Sequence, residues 1–366
     1  MNHSTRLVDR VQFRIDDFLA GRTPILRSLG EDVSGLGDLS RDFLSGGKRF
    51  RARFCEAGWT AVSEVPSEAH RSASDPVARV GASLELFHAA ALVHDDVIDN
   101  SDTRRGAPAA HRRFSALHDA GGWAGSGDEF GRSSAILLGD LLLVWSDEMF
   151  ADAEWTLEDR SSAARARAEF NLMRTEVTLG QYLDILEESA WASHAEEEHL
   201  RRAERVVVYK SAKYSIEAPL AIGGALGGGD DGQLDALKRF GLPLGIAFQL
   251  RDDVLGVFGD PAVTGKPAGD DLREGKRTVL LGLARGACSP AEREELDAVV
   301  GRSDASTGEI ERAQRIVEAS GAVDRLEERI VREVDSALAV LPSAPLRPEG
   351  LAALRDLADR VSVRTA

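Results

Sequence analysis

The sequence predicts an all-α protein, and three observations support this fold class. Alanine and leucine are abundant in a composition that is 43% hydrophobic. Apolar residues recur three or four positions apart, as at Val77, Val80, Leu84, Phe87 and Ala91, which is the spacing of one buried helix face. Stretches that alternate apolar and polar residues are rare, and none predicts a strand or a hairpin.

The same spacing predicts further helices over residues 46–64, 76–100, 134–159, 161–188, 198–226, 231–258, 308–340 and 348–363. One start signal is explicit, because Ser289 suits an N-cap, Pro290 the first helical position and Glu292 the acid of a capping box. Breaks in the periodicity predict loops at 63–76, 118–134, 227–232 and 259–276. The last loop is long and rich in glycine and lysine, as an active-site lid would be. None resembles a domain linker, so we expect one large domain over residues 1–366.

Composition excludes several classes of function. The formal net charge of −16 argues against binding to nucleic acid or to anionic membranes. The longest apolar run, residues 135–145, is short and contains Asp140, so no membrane span is expected. The N-terminus lacks the layout of a signal peptide. Cys55 and Cys288 provide neither a disulfide framework nor metal-ligand spacing, so we expect a cytoplasmic protein with reduced thiols.

The stretch "HDDVIDNSDTRRG", residues 94–106, crowds four aspartates onto the end of an apolar helix. Within a helix, Asp95 and Asp99 are one turn apart, and Asp96 is rotated by roughly 100°. Asp102 would extend the stripe if the helix continued. Two carboxylates on one face suit Mg²⁺, which takes oxygen ligands and shares its shell with water and substrate phosphates.

A second acidic cluster, "FQLRDDVLGVFGD", ends another apolar helix. It contains Asp252 and Asp253, but the next position of the stripe is Gly256, and Asp260 lies two turns from Asp252. Two such helices facing across a cavity would bring the acid pairs together around metal. The alternative is that each aspartate pair is an acidic helix end that points into water. This interpretation would suit a single pair, but it explains two similar pairs less well.

Basic residues follow or accompany these clusters. The turn "GGKRFR" provides Lys48, Arg49 and Arg51, an arrangement that suits phosphate. The others are Arg104, Arg105, Lys210, Lys266 and Lys276. Each of them alone would be an ordinary surface cation.

In this order, "GGKRFR", "HDDVID…RRG", "KSAKY", "FQLRDD" and "GKPAGDDLREGKRT" closely resemble the trans-isoprenyl diphosphate synthases, or polyprenyl synthetases, and most of all the bacterial geranylgeranyl diphosphate synthases. The match covers about residues 46–280. The resemblance implies an antiparallel helical bundle around a deep central cavity, and a homodimer. It implies a prenyltransferase that condenses isopentenyl diphosphate with an allylic diphosphate: dimethylallyl, geranyl or farnesyl.

The resemblance also implies roles for individual residues. Asp95 and Asp99 would ligate two Mg²⁺ ions, and Asp252 a third. Arg104, Lys210 and Lys266 would bind the allylic diphosphate. Isopentenyl diphosphate would be bound by Lys48, Arg51, His88 and Arg105, with Lys276 nearby. Ser211 and Gln249 would line the region where the carbocation forms, and Gln181 and Asp184 would orient the lysines unless they belong to an ordinary helix face.

Product length is predicted from the helix before Asp95, along which the growing chain would extend. Ala91 and Ala90, four and five residues before Asp95, are small, so the floor at that depth is open. Phe87, one turn deeper, would block further growth and favours geranylgeranyl diphosphate. If Phe87 is plain core, the products would be longer.

Two departures from the family pattern stand out, and alternatives remain. Gly256 replaces a third aspartate of the second motif, so a water-mediated metal contact would be lost while Asp252 remains. Segment 115–134 is longer than in many relatives. The alternatives are a farnesyl or longer-chain synthase, a class I terpene cyclase, which needs no "GGKRFR", and a non-catalytic subunit of a heteromeric synthase, which would lose motifs that this chain keeps.

Overall fold

The computed structural model describes residues 3–64, 75–104, 106–260 and 268–362, and at 3–6, 31, 34 and 362 it describes the backbone alone. The predicted all-α class is confirmed. In chain order the elements are α1 (His3–Ser28), α2 (Glu31–Phe43), α3 (Phe50–Val62), α4 (Pro76–Ile98), β1 (Thr103–Arg104), β2 (Ala107–Pro108), α5 (Ala110–Gly121), α6 (Gly127–Trp155), α7 (Arg160–Ala190), a 3₁₀ turn (Trp191–Ser193), α8 (Glu196–Val206), a π-helix (Val207–Glu217), α9 (Ala218–Leu226), α10 (Asp231–Phe258), α11 (Asp270–Glu274), α12 (Val279–Ala287), α13 (Pro290–Asp297), α14 (Thr307–Ala319), α15 (Ala322–Val340), a second 3₁₀ turn (Leu341–Ser343) and α16 (Pro348–Ser362).

Contacts group the chain into two compact units. The first comprises residues 1–167 with 219–230, and the second comprises 168–218 with 231–366. The sequence predicted a single domain over residues 1–366, and this division into two units does not test it, so it stays a prediction.

Helix α4 runs through the core of the first unit and carries the first acidic cluster. Its start is fixed by Asp75, whose side chain accepts a hydrogen bond from the Ala78 N–H, and by Pro76 in the first turn. One face packs in a buried cluster with α1 and α6, which includes Leu86, Ala90 and Leu138. Burial of this cluster stabilises the unit by about 25 cal/mol for each Å² of apolar surface removed from water.

Among the described residues, α4 is also the one helix long and apolar enough to cross a membrane, with a mean hydropathy of 1.2 over 18 residues. However, 72% of that window is buried inside the protein, as is usual for core helices. The expected absence of a membrane span stays a prediction.

The loop expected at 118–134 is wrong for most of its length. Helix α5, which the sequence did not predict, continues to Gly121, and α6 begins at Gly127 rather than 134. Ser126 caps α6 by accepting from the Glu129 N–H. Gly131 lies inside α6, where a Cβ would overlap the His111 carbonyl of α5. The glycine therefore permits close packing of α5 against α6. The long segment is therefore largely helical.

Other boundaries were predicted with varying success. Helix α10 has both predicted ends, and the capping box of Ser289 and Glu292 is present. The helix expected over 308–340 is two helices separated at Ser320 and Gly321. Helices α1 and α2, the turn of helix α11 within the predicted lid and the four-residue β-ladder were not predicted.

Candidate active site

The first acidic cluster lies at the C-terminal end of α4. The helix ends at Ile98, and Asp99 is its C-cap, whose N–H donates to the Asp95 carbonyl at 2.8 Å. Asp95 and Asp99 are therefore one turn apart, as predicted. Asp102 does not extend the stripe, because the chain has left the helix and Asp102 accepts from the Arg112 guanidinium at 2.6 Å instead.

Asp96 points away from this pair and binds Arg104. Its side chain is 1% exposed, and Arg104 Nε donates to Oδ1 at 2.9 Å. Arg104 lies on β1, where it pairs with Ala107 of β2, so the two-residue strands hold the arginine over the helix end. The guanidinium also lies 3.9 Å from the Asp95 carboxylate. Arg105 lies outside the described residues.

The "GGKRFR" turn before α3 has a left-handed backbone. Gly46 and Gly47 have φ values of 66° and 85°, which glycine adopts without strain. Arg49 has a φ of 48°, also in the left-handed region. Lys48 is exposed and Arg51 is half-buried, so both remain candidates for phosphate binding.

Arg49, in contrast, points into the protein. Its guanidinium donates to Glu85 of α4 at 3.2 Å and also binds the Leu44 carbonyl and the Gln12 side chain. Only 4% of its side chain and 8% of that of Glu85 are exposed. The pair therefore ties the turn to the helix that carries His88.

The predicted chain-length residues divide between two faces of α4. Phe87, Ala91 and Asp95 are four residues apart and follow one face, which His88 also borders. Ala90 instead belongs to the buried cluster packed against α6. Phe87 is buried, with 4% of its surface exposed.

In the second unit, Lys210 lies on the π-helix and its ammonium group binds the Asp184 carboxylate of α7. Gly180 permits this approach, because a Cβ there would overlap the backbone of Tyr209 and Lys210. The orienting contact predicted between Asp184 and the lysines is thus present for Lys210. Ser211 is half-buried beside it.

The two carboxylates of the second acidic cluster have opposite environments. Asp252 is exposed, whereas Asp253 is 3% exposed and accepts from Gln249 Nε2 at 2.9 Å. Burial raises the pKa of Asp253 well above its ordinary value, and the negative charges of Asp271, Asp252 and Asp184 add to that effect. Gln249, expected where the carbocation forms, holds Asp253 in the structure.

Of the predicted lid lysines, Lys266 lies outside the described residues. Lys276 follows α11, and its ammonium group lies 2.6 Å from Glu274 and 3.8 Å from Asp271. It is thus held by two carboxylates of the same turn of helix.

The carboxylates fit magnesium. Asp95 and Asp99 lie one turn apart at the end of α4, and their carboxylates are hard oxygen donors of the kind that Mg²⁺ selects. Across the described ranges, no three histidine, cysteine, aspartate or glutamate side chains gather into a ready-made metal site. Magnesium does not require one, because it binds through one or two carboxylates and takes water and phosphate oxygens for the rest.

Comparison with known proteins identifies the class of enzyme. The chain belongs to the polyprenyl synthetase family, whose model matches residues 35–317. It is therefore a trans-prenyltransferase, as the ordered motifs predicted.

Three proteins similar to this chain have names that specify a product. A geranylgeranyl pyrophosphate synthase from Corynebacterium glutamicum, crystallised with isoprenyl diphosphate and magnesium, is 40% identical over 100% of both chains, with a TM-score of 0.90. A geranylfarnesyl diphosphate synthase from Aeropyrum pernix is 33% identical over 82% of this chain and 85% of its own. A geranylgeranyl diphosphate synthase from Mycobacterium tuberculosis is 31% identical over 84% of this chain and 78% of its own.

Three residues of these sites received no role from the sequence: Asp96, Glu85 and Asp271. Glu85 carried a signal, since a lone carboxylate within a helix predicted to be buried requires a partner. The helix spacing places Asp96 on a different face from Asp95 and Asp99. It does not specify Arg104 as the partner, because Arg104 lies eight residues further along the chain. Asp271 carried no local signal.

Proposed function

We propose that the protein is a magnesium-dependent geranylgeranyl diphosphate synthase. One observation carries the proposal: along a single face, α4 presents the carboxylates of Asp95 and Asp99 and, below them, small Ala91 and then bulky Phe87. A helix so built would hold a diphosphate at its end and measure a hydrocarbon chain along its length. The similarity to geranylgeranyl and geranylfarnesyl synthases supports this reading.

The aspartates would hold three magnesium ions, two at Asp95 and Asp99 and one at Asp252. Bound magnesium neutralises the diphosphate and stabilises the charge that the leaving group gains as the C–O bond breaks. Asp96 takes no part in this ligation, because its role is to hold Arg104.

The basic residues would bind the two substrates. Arg104, Lys210 and Lys266 would bind the allylic diphosphate, where cations that face the leaving group favour the transition state over the ground state. Lys48, Arg51, His88 and Arg105 would bind isopentenyl diphosphate, with Lys276 nearby. Asp184 would keep the Lys210 ammonium group directed at its phosphate.

The reaction would balance as follows. The allylic C–O bond breaks and diphosphate leaves with the electron pair. The double bond of isopentenyl diphosphate then attacks the allylic cation and forms the new C–C bond. The resulting cation loses a proton, which the released diphosphate accepts, so no strong side-chain base is required. Ser211 and Gln249 would line the region of the first cation.

Elongation with a panel of primers tests the proposal. Purified protein is incubated with Mg²⁺, isopentenyl diphosphate and, separately, dimethylallyl, geranyl or farnesyl diphosphate, and the products are sized after dephosphorylation. We expect geranylgeraniol, and none with EDTA. No elongation from any primer would contradict the synthase and favour a non-catalytic subunit, whereas hydrocarbon formed without isopentenyl diphosphate would favour a cyclase.

We further propose a homodimer in which a second copy covers the outer face of α6. Ile136, Leu137 and Val144 are 45%, 67% and 62% exposed, and Leu137 and Val144 are two turns apart on one face. Asp substitution of Leu137 and Val144 together should give a monomer in light scattering. The matched control is Leu29→Asp, which changes a leucine that is 68% exposed. A dimer that survives the double substitution would contradict this interface.

A cytoplasmic location completes the proposal. Cys55 and Cys288 are both free thiols, as expected in a reducing compartment. Because the net charge is −16, anionic substrates would be bound by local cations and metal rather than attracted by the whole surface.

A further inference from the structure

A cavity of about 300 Å³ lies in the second unit, and none of the residues given a role in the reaction lines it. Its walls are the start of α8, the end of α12 and Arg325 of α15, and Trp191 of the first 3₁₀ turn also lines it. Cavities that bind small molecules begin at roughly this size, about 300 Å³. The space therefore suits one compact ligand.

Two glycines of α12 keep the cavity open. A Cβ at Gly286 would meet no atom within 4 Å, and a Cβ at Gly282 would meet only Leu200, at an ordinary contact distance of 3.8 Å. Neither glycine is thus required for close packing, although glycine is a poor helix former. What the two glycines provide is empty volume beside Leu200.

The wall at Trp191 is rigid. Trp191 and His199 are 4% and 7% exposed, and their rings are stacked with centroids 3.8 Å apart. Arg285 lies beside them, and its charge is offset by Asp297, which it binds through Nε at 2.7 Å and Nη2 at 2.6 Å. Nε1 of Trp191 is buried and has no hydrogen-bond partner among the described residues. Buried donors are normally paired, so this lining residue lacks an acceptor.

Two further lining residues carry charges of opposite sign that the described part of the chain does not offset. Arg325 donates through Nη2 to the Leu283 carbonyl at 2.9 Å and through Nε to the Gly321 carbonyl at 3.4 Å. Both acceptors are neutral, so no carboxylate among the described residues balances the guanidinium. Glu197, in the first turn of α8, is exposed and makes no hydrogen bond or ion pair with a described residue.

We propose that this cavity binds a free amino acid with an apolar side chain. Arg325 binds its carboxylate and Glu197 its ammonium group, and its side chain fills the volume beside Leu200. The charges decide the class of ligand, because two arginines and two glutamates line the cavity. A diphosphate would bring several negative charges beside the glutamates, whereas a zwitterion matches both signs. The site goes beyond the proposed function, since the condensation does not require it.

Calorimetry of the purified protein without Mg²⁺ tests the proposal with defined probes. L-leucine and L-phenylalanine are the ligands, isocaproate is leucine without its ammonium group, and isoamylamine is leucine without its carboxylate. We expect leucine to bind and each single-charge analogue to bind at least about tenfold more weakly, since a hydrogen bond to a charged group is lost. Binding of neither amino acid would overturn the proposal, as would equal binding of leucine and isocaproate.

Variants of equal circular dichroism locate the site. Arg325→Gln and Glu197→Gln should each weaken leucine binding by about tenfold. Glu198→Gln and Arg332→Gln, which remove the same charges from the same two helices outside the cavity lining, should bind as the wild type does. Gly286→Leu should abolish binding without loss of stability, because its side chain enters open space. Leucine binding that survives Gly286→Leu, or inorganic diphosphate binding that Arg325→Gln abolishes, would overturn the proposal.

Discussion

Asp96 and Arg104 form an ion pair at the end of α4, in which Nε donates to a carboxylate that is 1% exposed. The geometry separates the three aspartates of the first motif by role. Asp95 and Asp99 are the carboxylates proposed to bind Mg²⁺, whereas Asp96 holds the arginine that would bind the allylic diphosphate. Replacement of Asp96 should therefore act through Arg104 rather than through metal.

We predict that Asp96→Ala lowers kcat/KM for the allylic substrate by about ten- to a hundredfold, since hydrogen bonds to charged groups contribute about 1.5–3 kcal/mol. The Mg²⁺ dependence should stay close to that of the wild type. Steady-state kinetics at varied Mg²⁺ measure both effects. Asp102→Ala is the matched control, because its partner is Arg112. A large rise in the Mg²⁺ requirement of Asp96→Ala would indicate direct ligation instead.

The buried pair of Arg49 and Glu85 leads to a prediction about the other substrate. Because the pair ties the "GGKRFR" turn to the helix of His88, Glu85→Gln should raise KM for isopentenyl diphosphate more than KM for the allylic substrate. Kinetics with each substrate varied separately give the split. Equal changes in the two KM values, accompanied by a lower melting temperature, would indicate a purely structural pair.

Phe87 is predicted to stop chain growth. Phe87→Ala should lengthen the product by one or more isoprene units, because it removes a ring from the face that Ala91 and Asp95 share. Chromatography of the dephosphorylated products shows the change. Leu86→Ala, on the face packed in the core cluster, should cost about 2–5 kcal/mol in stability and leave the product length unchanged. An unchanged product from Phe87→Ala would refute its role as the floor.

Glu217 of the π-helix is predicted to destabilise the fold at neutral pH. Its Oε2 is buried without a hydrogen bond among the described groups, and burial raises the pKa of its carboxyl above 4.5. The folded state therefore binds this proton more tightly than the unfolded state, so stability is lost as the pH rises through the raised pKa. Glu217→Gln should melt higher than the wild type at pH 7.5.

The advantage of Glu217→Gln should vanish below about pH 4, where both the folded and the unfolded wild type are protonated. Glu176→Gln is the contrasting variant, because Glu176 pairs with Lys213 at 2.5 Å and its loss should lower the melting temperature at neutral pH. A wild type that melts above Glu217→Gln at pH 7.5 would contradict the prediction.

Periodicity and capping predicted most of the long helices, though not α1, because those signals are local. Helix α10 and the Ser289 capping box followed from them directly. The start of α6 did not, since the glycines of this segment suggest a loop, and Gly131 is explained by the close approach of α5, which is visible only in the structure. The partner of Arg49 and the close neighbour of Gly256, Asp271, are 36 and 15 residues away, and no pattern in one sequence specifies such pairs.

We propose that this chain adds isopentenyl units to an allylic diphosphate and stops at geranylgeranyl diphosphate. The most direct measurement incubates the purified protein with Mg²⁺, farnesyl diphosphate and an excess of labelled isopentenyl diphosphate, and follows product length over time. We expect one labelled unit per chain, with geranylgeranyl diphosphate accumulating and no longer species. An absence of labelled prenyl product, or continued growth beyond geranylgeranyl, would contradict it.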